Sequence, residues 1–377
     1  MTNLAQNITI SYISDGKSPP LGNITSYSAT RTDKGIQLTE KELSQKKHNF
    51  KKKKIETKKG ISKKVKRVGY CGTRLISKNG QLIEAVQGES GGIFYKGMQR
   101  CGLVHFCPDC QYKLMKERAD ELYSQLKAYK EQGKTVLFVT FTLQHKYGDS
   151  LEILHKTLLD AFNFANSHGA FKKAKKDLPI EYLRALEVLF GSNGWHPHLH
   201  CVFIGDKEIT EAINIFINLY KQYLVGRGLL VNEHTVTVEK WNGKLDDMTD
   251  YLFKGMLEQE LTGGGLKKSG KGKTFFELID EGNDQATDEY IIVMKGKRQY
   301  HHSRCFFKDV RVKTDDEIIR EEVVTETLFI MTRKQYSEIH YKGIAMHLLN
   351  EYEYGGVTRA TKLLELYDCD PVFLSGP

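Results

Sequence analysis

The segment GWHPHLHCVFIG, residues 194–205, constrains the chain more than any other. His196, His198 and His200 alternate with Pro197 and Leu199. In a strand, successive side chains point to opposite faces, so the three imidazoles share one face and Leu199 takes the other. Beyond the Pro197 break, Cys201, Val202, Phe203 and Ile204 read as a buried strand that holds the rings rigidly. Neutral imidazole is the commonest protein ligand for a metal, and ligands on one rigid strand lose little entropy on binding. The alternative is a set of histidines satisfied by core hydrogen bonds. Three in register favour a metal site, without saying which metal.

The surrounding order of elements gives this strand a place. TVLFVTFTL (135–143) reads as a buried strand and LEILHKTLLDAFNFA (151–165) as a helix. EYLRALEVLF (181–190) and HPHLHCVFIG (196–205) are strands joined by the hairpin signal GSNG. ITEAINIFINLYKQYL (209–224) is a helix, HTVTVEK (234–240) a half-buried strand, and LDDMTDYLFKGM (245–256) helical again. The order β-α-β-β-α-β predicts an α+β fold. Its core is a central antiparallel sheet of the split-βαβ, ferredoxin/RRM-like kind, with helices on one face. The histidine strand is then central. Glu187 on its hairpin partner either supplies an oxygen ligand or is a surface carboxylate, since sequence leaves its face open.

Four of the seven cysteines cluster ahead of this core: Cys71 in YCGTRL, then Cys101, Cys107 and Cys110 in CGLVHFCPDC. A Cys-x-x-Cys knuckle preceded by two further thiols fits a tetrahedral structural Zn²⁺ site with no open position. His105 competes with the distant Cys71 for the fourth place, and unrelated buried thiols are the plain alternative. Cys201, Cys305 and Cys369 are isolated. The following KERADELYSQLKAYKEQG reads as a helix stopped by Gly133 that carries this zinc module onto the main domain.

At 377 residues and 43.1 kDa the chain is long enough for two or three domains. Its net charge of +9 is concentrated, because residues 46–67 hold twelve Lys or Arg against one Glu. Such a run has too little apolar surface to fold alone and reads as disordered, with a density suited to transient phosphate-backbone contact. The expected organisation is a basic, largely disordered segment over 1–68, the zinc module and its helix over 69–133, the histidine domain over 134–310, and a small appendage over 311–377. No apolar run of eighteen residues and no secretory leader is present, so a cytoplasmic protein without a membrane partner and with reduced thiols is expected. GGGLKKSGKG (263–272) lacks the strand and the Gly-Lys-Ser/Thr ending of a P-loop, which excludes ATP binding there.

In DDMTDYLFKG, Asp247, Tyr251 and Lys254 share a helical face. A phenol, an amine and a carboxylate beside a metal suit nucleophilic attack on a phosphodiester, although tyrosine, with a pKa of roughly 10, needs help at neutral pH. GWHPHLHCVF followed by YLFK resembles the HUH endonucleases, specifically the rolling-circle replication initiators (Rep) of bacterial plasmids and related phage or mobile elements. CGT, CGLVHFCPDC, FVTFTL, the histidine strand, the tyrosine helix, FFELID and KGKRQYHHSRC come in the order such initiators show, over about residues 69–307.

The resemblance implies the HUH form of the split-βαβ sheet. It also implies a nicking enzyme that binds single-stranded or extruded origin DNA and forms a 5′-phosphotyrosine. A 3′-OH is freed for a host polymerase, acting with the host replication helicase. By motif, His198 and His200 bind Mg²⁺ or Mn²⁺, His196 is a ligand or a neighbour, Tyr251 is the nucleophile and Lys254 its companion. Asp247 stands where this branch often has a glutamate that helps end the reaction; Asp246 or Asp250 are alternatives. An HUH transposase or relaxase shares this chemistry. A non-catalytic zinc-containing DNA-binding regulator is the rival from another class.

Overall fold

The computed structural model describes residues 40–76, 82–89, 92–176, 178–206, 209–240 and 272–370. Five strands, β3 (Thr135–Phe141), β4 (Glu181–Gly191), β5 (Gly194–Gly205), β6 (Val236–Lys240) and β7 (Tyr300–His302), form one antiparallel sheet in the order β6-β3-β5-β4-β7. A helix at Leu151–Ser167 links β3 to β4, a two-residue turn links β4 to β5, and a helix at Ile209–Gly226 links β5 to β6. The histidine strand lies between β3 and β4. It runs unbroken through Pro197, because β3 pairs with β5 only from Leu199 onward and no β3 rung needs the N–H that proline lacks.

Helices cover both faces of this sheet rather than the one expected. Leu137, Val139 and Phe141 of β3, with Leu199 and Phe203 of β5, pack on Phe162 and Phe216 of the two connecting helices. Val136, Phe138, Val202 and Ile204 point the other way, onto Leu114, Leu122 and Leu126 of a helix at Pro108–Glu131. The cause is in the sequence of β3 and β5, whose continuous apolar runs leave two faces to bury. This second helix covers its face up to Phe138 and Val202. One rung further, Thr140 and His200 pair across the strands and the face becomes polar.

The basic run does not behave as a free coil. Glu40–Lys64 is one 25-residue helix, which corrects the expectation of disorder there, while residues 1–39 lie outside the described residues. Its lysines find carboxylates from distant parts of the chain. Lys54 and Lys58 meet Asp109 at 2.7 and 2.6 Å, Lys47 meets Glu353 at 2.9 Å, and Lys64 meets Asp288 at 2.7 Å. Burial opposes the charge of Lys58, but Asp109 outweighs it and holds the ammonium above its ordinary range. Gly60 lets a helix at Phe275–Asp280 come close, since a Cβ there would lie 2.9 Å from the Ile279 side chain.

The C-terminal residues build a second sheet with an N-terminal hairpin. β1 (Leu82–Gly88) lies between β2 (Ile93–Tyr95) and β8 (Val324–Thr332), in register from Leu82↔Thr332 to Gly88↔Val324. Ile83, Tyr95, Phe329 and Met331 pack with Tyr336, Leu348 and Leu364 from helices at Arg333–Tyr341 and Ala345–Leu366. The region after residue 311 therefore completes a core begun before residue 96. Among the described residues no helix is long and apolar enough to cross a membrane.

Candidate metal centres

The β4–β5 turn sets the geometry of the histidine face. Gly194 closes the turn at φ +79°, a conformation that favours glycine, and a Cβ there would come within 3.1 Å of the Lys146 and Tyr147 backbone. With the turn fixed, the register follows: Ala185↔His200, Glu187↔His198 and Leu189↔His196. The alternation of the two strands then puts Glu187 and all three imidazoles on one face.

Glu187, His198 and His200 converge. The His200 Nε2 lies 3.0 Å from Glu187 Oε2, and the His198 Nε2 meets the same oxygen. The other ring nitrogens are also held. His198 Nδ1 faces the His196 carbonyl at 3.3 Å and His200 Nδ1 faces Thr140 Oγ1 at 3.2 Å, so both rings present Nε2 inward. Phe138 stacks on the His200 ring at 5.9 Å. Such outer contacts fix tautomer and orientation in metal sites.

The protonation states suit a cation. Burial would raise the Glu187 carboxyl, but hydrogen bonds from His198 and His200 hold it well below the usual range. Burial lowers His200 despite the neighbouring carboxylate. The site thus offers an ionised carboxylate and a neutral imidazole. The three ligand atoms lie within 4.8 Å of one another, a group able to hold a metal ion.

His196 is placed differently. Its Nε2 meets Thr142 Oγ1 at 2.9 Å and its ring stacks on His145 at 4.6 Å, outside the three-atom group. Burial, then the charges of His198 and His145, push it down to about 4. Thr140, Thr142 and His145 were not singled out by sequence. The two threonines follow from pairing β3 with β5, whereas His145 lies in a loop with no periodic signal. Behind the strand, Trp195 Nε1 donates to Glu289 Oε2 at 2.7 Å, and Glu289 also accepts the Leu151 N–H at 2.7 Å. One carboxylate thereby ties the histidine strand to the start of the Leu151–Ser167 helix.

Asp247, Tyr251 and Lys254, with Asp246 and Asp250, lie outside the described residues. The chain that carries them leaves at Lys240 and is described again from Gly272. Lys273 there exchanges backbone hydrogen bonds of 2.7 and 2.8 Å with Phe190, three residues along β4 from Glu187.

The second group is all sulfur. The Sγ atoms of Cys71, Cys101, Cys107 and Cys110 lie within 4.8 Å of one another and all four residues are buried. Cys71 and Cys101 approach Cys110 at 3.5 and 3.7 Å. Ligands about 2.3 Å from a tetrahedral centre stand roughly 3.8 Å apart. A disulfide would need about 2.05 Å. Cys107 is the N-cap of the Pro108–Glu131 helix, so this helix starts earlier than its apolar spacing suggests and carries Cys110 in its first turn. Proline at the first position suits that start.

Hydrogen bonding to Cys101, Cys107 and Cys110 pulls the Cys71 thiol well below its ordinary range. Contacts with Cys107 and Cys101 respectively raise Cys101 and Cys110. Lys58 and Arg67 donate to the carbonyls of Cys71 and Cys101, placing positive charge beside the sulfurs. His105 is elsewhere: its Nε2 meets the Lys297 carbonyl at 3.0 Å, and burial lowers it to about 4. Cys71, not His105, completes the group.

Residues 96–219 match a family model of replication proteins. That span includes Cys101, Cys107, Cys110, Glu187 and the three histidines. The chain is similar to Protein rep of Streptomyces lividans, 27% identical over 154 residues that cover 32% of this chain and 34% of that protein. It therefore spans about a third (34%) of the length of the curated relative it matches. No solved structure matches.

Proposed function

Taking as premise that residues 96–219 mark this chain as a Rep-family replication protein, we propose that it initiates plasmid replication by nicking origin DNA. The observation that carries this is the convergence of His198, His200 and Glu187 on one face of the hairpin. The strand order β6-β3-β5-β4 and its two helical connections support the split-βαβ, HUH reading of the sheet.

Glu187, His198 and His200 would hold Mg²⁺ or Mn²⁺, which supplies charge stabilisation at the scissile phosphate. His196, kept by Thr142 and His145, orients its neighbours. The Tyr251 oxygen attacks phosphorus, the bond from phosphorus to the 3′ oxygen breaks, and that oxygen leaves as a 3′-OH after taking a proton. The product is a 5′-phosphotyrosine. Lys254 stabilises the phenolate, and Asp247 accepts its proton. The substrate is single-stranded or extruded origin DNA, and the freed 3′-OH is extended by host polymerase behind a host helicase. Cys71, Cys101, Cys107 and Cys110 would hold a structural Zn²⁺ that joins the start of the Pro108–Glu131 helix to the turn at Cys71 and the loop at Cys101.

The test is incubation of the full chain with single-stranded oligonucleotides tiled across a candidate origin, with Mn²⁺, followed by mass spectrometry. The expected result is one oligonucleotide fragment linked to Tyr251 and none in Tyr251→Phe. An adduct that survives in Tyr251→Phe refutes the assignment.

A further inference from the structure

The basic helix sorts its lysines by face. At about 100° per residue, Lys47, Lys51, Lys54 and Lys58 fall in one stripe, and each meets Glu353 or Asp109. Lys41, Lys52, Lys59 and Lys63 fall in a second stripe, about 125° round the helix, and all four are exposed. Among the described residues none of these four forms an ion pair. The acidic neighbour Glu56 is turned to His347 at 3.3 Å.

From Lys41 to Lys63 the row spans about 33 Å at 1.5 Å per residue. That is close to one turn of B-form DNA, about 34–36 Å. Like charges held in a rigid row repel one another, and the ion pairs on the inner stripe prevent the helix from turning away. A polyanion of matching length relieves that repulsion, and duplex DNA presents a charge about every 1.7 Å of axis. The helix that carries the row is also tied, through a second helix, to the hairpin of the candidate metal site. Thr57 donates to Asp280 at 2.5 Å and Gly60 seats against Ile279 in the Phe275–Asp280 helix. That helix follows Lys273, which is bonded to Phe190 of the histidine hairpin.

We propose that this outer row is a sequence-independent clamp for the phosphate backbone of double-stranded DNA beside the nicking site. The proposal rests on DNA being the substrate of the chain.

The test measures binding of the full chain to a fluorescein-labelled duplex of arbitrary sequence, several turns long, by anisotropy across a KCl series. Lys52→Gln, Lys59→Gln and Lys63→Gln are combined in one variant. Losing three phosphate contacts lowers the slope of log K against log salt by about 2.7 and weakens binding at least tenfold near 0.1 M KCl. The corresponding triple arginine variant keeps both, and the melting temperature is unchanged in either. An unaltered slope and affinity in the glutamine variant overturns the proposal, and the row is then free for an acidic protein surface. Adduct formation on a short, saturating single-stranded oligonucleotide is unchanged in the variant. If wild type forms no adduct while the slope still falls, the nicking reading fails and the clamp stands.

Discussion

The two candidate centres use opposite designs. The sulfur group is closed. Its four donors are buried and drawn from a turn, a loop and a helix start, with Lys58 and Arg67 bonded to its backbone. The carboxylate–imidazole group has three donors, all on one hairpin, with a half-buried Glu187 and polar neighbours at Thr140, Thr142 and His196. A saturated set joining separate segments serves architecture, whereas three ligands on one preformed face leave positions for a reacting phosphate. The difference teaches that ligand count and chain connectivity separate a structural role from a catalytic one before the metal is known.

The largest effect is expected at the sulfur group. Cys110→Ser should release zinc and lower the melting temperature by 10 °C or more, from a loss of about 3–5 kcal/mol. Calorimetry and atomic absorption check both, and an unchanged melting temperature removes the architectural role. Next, His200→Gln should slow adduct formation at least a hundredfold while shifting the melting temperature by only about 2–4 °C, as single-turnover kinetics and calorimetry would show. Equal loss of fold and activity would erase the contrast between the centres.

Thr140→Val removes the oxygen facing His200 Nδ1 and should weaken Mn²⁺ binding about tenfold, read by electron paramagnetic resonance. The smallest effect concerns His105, which neighbours the sulfur ligands in sequence but is not one. Its folded value of about 4 lies below the unfolded value near 6.5, so the unfolded state binds more protons between these limits. Stability therefore falls as pH drops through that window, by about 1 kcal/mol from pH 7 to 5.5. His105→Gln should flatten that decline by a few degrees of melting temperature and leave the zinc content intact. Zinc loss in this variant would instead make His105 a ligand.

Much of this was legible in the sequence. Alternation announced the histidine face, GSNG announced the hairpin, and the Cys-x-x-Cys knuckle with its two preceding thiols announced the sulfur group. The face of Glu187 was also within reach. A two-residue turn closed by Gly191 and Gly194 pairs residues whose numbers sum to 385, and 187 with 198 is such a pair. What sequence concealed depends on distant partners. The basic run reads as a free coil because Asp109, Asp280 and Glu353, which hold it as a helix, lie far along the chain. Cys71 reads as the fourth sulfur with His105 as its rival, and only the tertiary approach of the loop at Cys101 decides between the two.

The pairing of β1 with β8 has a consequence in time. Leu82 and Thr332 are 250 residues apart, and a ribosome adding about 5–20 residues per second needs roughly 12 to 50 s between them. Through that interval the inner edge and the apolar side of β1, with Ile83 and Ala85, are uncovered on a nascent chain. An unpaired strand edge recruits whatever backbone it meets. Truncated or stalled translation products ending before Val324 keep that edge for good, so they are the forms of this protein most prone to aggregate.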